Sequence, residues 1–165
     1  MKKLIGFLAL AACLGFVSLA EANKEEDAIK YTKMLKTAKS VQDKMEAARE
    51  LGNIGQINKK YVKDAIPLLI ECCKDKKNAD LRAVAAEALG KADPAADTGA
   101  VELLTDLVKN DSEMKVKQAA ARGLGAMGSS AKDALPVLRD TAKNVDKKDA
   151  RPFRDAAMAI QGTKK

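Results

Sequence analysis

Leu81-Arg82-Ala83-Val84-Ala85-Ala86-Glu87-Ala88-Leu89-Gly90 decides how this chain folds, because it occurs four times. Upstream the pattern is Asp43-Lys44-Met45-Glu46-Ala47-Ala48-Arg49-Glu50-Leu51-Gly52, and downstream it is Val116-Lys117-Gln118-Ala119-Ala120-Ala121-Arg122-Gly123-Leu124-Gly125. A weaker copy closes the chain as Pro152-Phe153-Arg154-Asp155-Ala156-Ala157-Met158-Ala159-Ile160-Gln161-Gly162. The terminal Leu or Ile stands at 51, 89, 124 and 160, so the steps are 38, 35 and 36 residues. A fixed period of this size marks a stacked-repeat architecture.

Each copy reads as one amphipathic helix. The third and fourth positions before the terminal Leu or Ile are alanine in all four copies. At 3.6 residues per turn they share a stripe with that residue and, in the second and third copies, with Leu81 and Val116. Paired alanines let a neighbouring helix approach closely, and a larger side chain there would overpack the contact. Gly52, Gly90 and Gly125 follow the terminal Leu, where a left-handed residue often ends a helix. The opposite face carries Arg49, Glu87, Arg122 and Met158.

Between the copies the chain reads as helix after helix, with no credible strand. Residues 25–39 place Ala28, Tyr31, Leu35 and Ala38 on one face, and Ser40 suits an N-cap for the first organising helix, about 41–54. A second element, about 59–75, has a stripe of Val62, Ile66, Leu69 and Cys73, and Pro67 inside it predicts a bend. A helix over about 79–91 follows. The next is expected to start at Asp97 or Thr98 and to run to about Lys109, with Val101, Leu104 and Val108 inward. Helices over about 113–127 and 131–144 and a shorter last one complete eight, in four antiparallel pairs.

The N-terminus predicts export. Met1-Lys2-Lys3, the apolar run Leu4 to Ala20 and the A-x-A pattern Ala20-Glu21-Ala22 have the layout of a signal peptide over residues 1–22. As a membrane anchor the run is marginal for about 30 Å of hydrocarbon, and it contains Gly6, Gly15 and Ser18. A rival reading lies inside it: Leu10-Ala11-Ala12-Cys13 resembles the lipobox of bacterial lipoproteins, with Cys13 as an acylated first residue. The apolar stretch before that box is short, however, and Leu14-Gly15-Phe16-Val17 stays apolar after it.

The expected mature chain, 23–165, has room for one domain. Residues 1–22 hold two of the 30 basic and one of the 23 acidic residues, so the net charge falls from +7 to +6 without them. That well-mixed surplus favours weak attraction to anionic partners over dedicated nucleic-acid binding. Tyr31, Tyr61 and Phe153 are too few to stack bases. The chain has no histidine, which removes Ser-His-Asp and Cys-His catalysis and every histidine metal site. Adjacent Cys72 and Cys73 point about 100° apart on a helix, poor geometry for a disulfide, so one thiol is expected in the core and one nearer the surface. The sharper alternative is a thiol that links two chains. No catalytic residue, metal or cofactor is assigned.

These patterns resemble the HEAT-repeat proteins, especially the short bacterial form that is similar to the bilin-lyase HEAT-like repeats. That form pairs an A-x-x-P-x-L-type first helix with a V-R-x-x-A-A-x-A-L-G second helix. The first appears as Ala65-Ile66-Pro67-Leu68-Leu69 and Ala134-Leu135-Pro136-Val137-Leu138, and without its proline as Gly99 to Leu104. The second helix's basic residue is Lys44, Arg82 and Lys117, with Phe153 in the last copy, as in a degenerate cap. An Asp in the preceding turn also fits, Asp75 with Arg82 and Asp111 with Lys117. The resemblance covers about Val41 to Gly162. It implies an all-α fold, a right-handed α-α superhelix or HEAT-like solenoid, with repeats over about 24–54, 59–91, 98–127 and 131–162.

It further implies that the second helices line a concave face where partners dock. Carried onto this chain, that face presents Arg49, Asn53, Glu87, Lys91, Gln118, Arg122 and Ala126. Three functions follow as expectations. The first is an exported, periplasmic or secreted module that docks a protein or peptide. The second is binding of an anionic polymer or envelope surface through the basic surplus; Lys74 to Lys77 and Lys143 to Arg154 read as solvated turns. The third, lyase activity by analogy with the bilin lyases, rests on fold alone. Glu25-Glu26-Asp27 is an acidic first helical turn rather than an acid–base pair, so the chain is not expected to be an enzyme.

Overall fold

A computed structural model describes residues 19–94 and 98–162. Within them lie eight α-helices: α1 (Leu19–Thr37), α2 (Val41–Ile57), α3 (Ile66–Cys73), α4 (Ala79–Ala92), α5 (Ala100–Asn110), α6 (Met114–Met127), α7 (Leu135–Asn144) and α8 (Arg151–Gln161). No strand occurs among the described residues. The expected signal peptide and Cys13 lie outside them, except that the backbone from Leu19 onward belongs to α1.

The four repeated stretches are α2, α4, α6 and α8, and they pack side by side in that order. This row carries the densest inter-helix packing in the protein, while α1, α3, α5 and α7 each lean mainly on their own partner and touch one another far less. Helices spaced more closely on one side than on the other bend a stack toward the close side. The paired alanines set that spacing: Ala47, Ala48, Ala85, Ala86, Ala120, Ala121, Ala156 and Ala157 are all buried. Leu51, Leu89, Leu124 and Ile160 fill the space behind them, with Leu69, Leu104, Leu138 and Phe153.

The glycines after the terminal leucines do something other than expected. Gly52, Gly90 and Gly125 do not end their helices, which run on to Ile57, Ala92 and Met127. They lie where one helix backbone meets the next. A Cβ on Gly52 would stand 2.7 Å from the Ala88 Cα, and one on Gly90 would overlap the Gly123 backbone outright. The left-handed helix ends fall elsewhere, at Asp93 (φ 40°) and Gly162 (φ 70°), and Gly128 ends α6 with a positive φ of 55° outside that region.

Proline also acts differently from the expected bend. The element expected over 59–75 is a 3-10 segment, Lys59–Ala65, followed by α3, in which Pro67 sits in the first turn. The 131–144 element divides in the same way, into a 3-10 segment over Gly128–Ala134 and α7 with Pro136 at its start. In a first helical turn the missing N–H has no acceptor to lose, so proline starts these helices instead of kinking them. Ser40 caps α2 as expected, its Oγ accepting from the Gln42 N–H at 3.1 Å and the Asp43 N–H at 3.4 Å. Helix α5 starts at Ala100 after Gly99, later than expected at Thr98, and Asp97 lies outside the described residues.

Candidate functional site

The exposed side of the α2–α4–α6–α8 row carries the candidate residues. Arg49 and Asn53 on α2 face Glu87 and Lys91 on α4 across a groove of about 250 Å³, floored by Val84 and Ala88. The same register one step along brings Glu87 against Arg122 on α6. Arg122 Nε donates to Glu87 Oε2 at 2.9 Å, and Lys91 Nζ lies 3.2 Å from Glu87 Oε1. Burial pushes the Glu87 carboxyl up, but the hydrogen bonds and charges of Arg122 and Lys91 outweigh it and leave the carboxyl below its usual range. Beyond this pair a second groove, about 360 Å³, runs between α6 and α8 past Arg122, Gly125, Arg151, Asp155 and Ala156.

These two grooves are one feature repeated. Arg49 and Arg122 hold the same position, two before the terminal Leu, and each overhangs an alanine floor contributed by the next helix. Between them Glu87 occupies that position and neutralises the middle of the face. Arg49 has no carboxylate at ion-pair distance among the described residues, so its guanidinium is available to a partner. Five of the seven candidates, Arg49, Asn53, Glu87, Lys91 and Arg122, therefore line these grooves, and Ala126 is exposed near the end of α6. Gln118 stands apart: its Nε2 donates to the Asp149 carboxylate at 3.2 Å and more weakly to the Asp149 carbonyl, tying α6 to the turn before α8. Arg151 and Asp155 belong to the face and were missed, because the last copy keeps the alanines but loses the charged residue at the Arg122 position.

At one edge of the stack the turns before the second helices are laced together. Arg82 Nε and Nη2 donate to the two Asp111 oxygens at 2.8 and 3.0 Å, and Nη1 donates to the Asp75 carbonyl at 2.9 Å. Asp111, in the turn before Lys117 and near enough to feel its charge, thus bonds back to Arg82 of the preceding repeat. The planar guanidinium matches both carboxylate oxygens, which an ammonium cannot do. The Asp111 bond holds the guanidinium pKa above its usual value. Burial raises the Asp111 carboxyl, but the Arg82 bond and the Glu113 N–H bring it below the usual range. Asp75 also lies below that range, chiefly because the Asn78 and Lys77 N–H groups donate to it.

Neither thiol is poised to react. Cys73 is buried, and burial with the neighbouring Cys72 pushes it up to about 12; burial also raises the half-exposed Cys72. Among the described residues no group of three acidic or sulfur side chains could hold a metal. No described helix is long and apolar enough to cross a membrane.

The profile of the HEAT repeats matches residues 30–113 and, overlapping them, 66–161. No curated protein matches the chain. Among solved structures it is similar to two engineered proteins, each at a TM-score of 0.65. One is 24% identical over 87% of this chain and 65% of its own length; the other is 23% identical over 86% and 39%. The chain thus spans less than two thirds of either, and at that identity the likeness is one of fold.

Proposed function

The chain belongs to the HEAT-repeat family, and on that premise we propose that it is an exported, non-catalytic interaction module, periplasmic or secreted. Its partner, a protein or peptide, docks along the α2–α4–α6–α8 face. Stacked helix pairs cannot bury their apolar sides alone, and the solenoid they form offers an extended curved surface. The observation that carries the reading is the pair of alanine-floored grooves, each overhung by an arginine, on either side of the Glu87–Arg122 pair. An apolar floor with an arginine at its rim fits small side chains next to a carboxylate, and arginine is over-represented where interfaces derive their affinity. Export is supported by the basic start, apolar run and A-x-A pattern of residues 1–22.

The test is affinity capture from envelope extract at low and high salt, beside an Arg49→Glu/Arg122→Glu variant shown by circular dichroism to be folded. A single protein held at high salt and lost with the variant supports the interaction module. Retention of acidic polymers alone, and only at low salt, replaces it with the charge-driven reading, since exposed electrostatics are screened within about 10 Å at 0.1 M salt. Mass spectrometry of the envelope-derived protein is expected to begin at Asn23; a chain that begins at an acylated Cys13 overturns simple cleavage.

A further inference from the structure

The junctions between repeats share one layout and differ in a single component. Each of the first three second helices bears a basic residue seven positions before its terminal Leu (Lys44, Arg82, Lys117), with a lysine eight positions earlier (Lys36, Lys74, Lys109). That basic residue faces the turn of the following repeat. At the middle junction Asp111 closes on Arg82. At the first, Lys36 and Lys44 line a cavity of about 230 Å³ together with Asp75, whose carboxylate feels the Lys44 charge.

At the third junction no carboxylate among the described residues closes on the basic residue, Lys117. Lys109 and Lys117 line a cavity of about 530 Å³ with Asp140, Thr141, Asn144 and Val145. Asp75 stands eight residues after Pro67; the residue eight after Pro136 is Asn144. Lys117 Nζ donates to the Lys109 carbonyl at 3.0 Å, one position further back than the Asp75 carbonyl that Arg82 Nη1 bonds. No carboxylate lies within ion-pair distance of Lys117 among the described residues. Asp111 is near enough to feel its charge, but its oxygens are taken by Arg82 and the Glu113 N–H. The result is a hollow with two ammonium groups and one carboxylate over an apolar wall of Pro136, Val137 and Val145, more than twice the volume of its counterpart, at the place where the other junctions hold an acid on the basic residue.

We propose that this hollow is a carboxylate-binding site that takes an Asp or Glu side chain from a partner polypeptide, with Lys117 and Lys109 as counter-charges and Asn144 and Thr141 as neutral donors. The chain itself shows the occupant's chemistry, since its own Asp111 fills the equivalent place one repeat earlier. Asp140 on the wall selects a singly charged carboxylate over a phosphate dianion. The site lies between α5, α6 and α7 and does not depend on the proposed docking face.

The test is titration of the ¹⁵N-labelled protein with the blocked peptide Ac-Gly-Asp-Gly-NH₂, its Asn counterpart and inorganic phosphate, followed by NMR. The Asp peptide is expected to shift the amides of Lys117, Thr141 and Val145 saturably, and the Asn peptide to leave them in place. Lys117→Met is expected to weaken binding about tenfold or more, the scale of one hydrogen bond to a charged group. Asn144→Asp, which supplies the acid from within, is expected to abolish binding, while Gln161→Glu, the same charge change at the end of α8, leaves it intact. Equal shifts with the Asn peptide, equal affinity for phosphate, or unchanged binding by Asn144→Asp would each overturn the assignment.

Discussion

Replacing Gly90 by alanine introduces a Cβ into the Gly123 backbone, where α4 crosses α6. Backbone on both sides leaves no flexible side chain to move aside, so the two helices must separate. Overpacking of this kind costs about 3 kcal/mol, and alanine returns about 1 kcal/mol through its better helix propensity. The net loss is therefore about 2 kcal/mol, a fall in Tm of about 8 °C for a domain of this size. Gly52→Ala, whose Cβ would lie 2.7 Å from the Ala88 Cα, is expected to cost less. Gly125→Ala, with its nearest neighbour the Ala156 Cα at 3.0 Å, is expected to be close to neutral. Thermal unfolding of the three variants by circular dichroism decides the matter. If the glycines served as left-handed helix ends, all three would lose a similar amount, about 1 kcal/mol. Equal losses, or a Gly90→Ala protein as stable as the parent, would refute the close-approach argument.

Three further outcomes follow from the same geometry. Asp111→Asn removes the negative charge and one of the two acceptor oxygens that face the shielded Arg82, and is expected to lower stability at neutral pH by about 1.5–3 kcal/mol. Because the Asp111 carboxyl titrates below its ordinary 3.8, the unfolded chain takes up the proton first as pH falls. The contribution is complete above that value and disappears as pH drops through the folded pKa, so urea melts should show the gap between parent and variant closing below about pH 4. Leu89→Ala empties a fully buried site between α4 and its neighbours and is expected to cost about 2–5 kcal/mol, read from the same melts. In alkylation followed by peptide mapping, Cys72 is expected to react first and Cys73 only after denaturant is added; simultaneous labelling would contradict the burial of Cys73.

The fold was legible because its two signals are strictly local. Paired alanines and a terminal Leu on a 3.6-residue period need no tertiary information, and all of them are buried as the pattern requires. The contributions of Gly90 and Pro67 were misread for the opposite reason. Whether a glycine near a helix end turns the chain or admits a neighbour depends on a helix that is 33 residues away for Gly90 and Gly123. Pro67 broke nothing because a 3-10 segment precedes it, and sequence period does not distinguish that segment from the α-helix it enters. The candidate face was legible at Arg49, Glu87 and Arg122, which share one position in the repeat. Gln118 stands apart from the grooves because, four residues before Arg122, it is one turn nearer the helix start, where it bonds the Asp149 turn. The Arg82–Asp111 bond joins adjacent repeats, and a pairing read within one repeat could not find it.

The most direct measurement of the docking claim is photo-crosslinking in cells with a benzophenone amino acid placed at Asn53 or Ala126 on the second-helix face, and at Lys63 or Arg139 on the first-helix side. All four positions are exposed. One shared adduct at Asn53 and Ala126, absent at Lys63 and Arg139, is the expected result. Adducts at all four positions, or only on the first-helix side, would contradict the assignment of the α2–α4–α6–α8 face as the surface through which this protein acts.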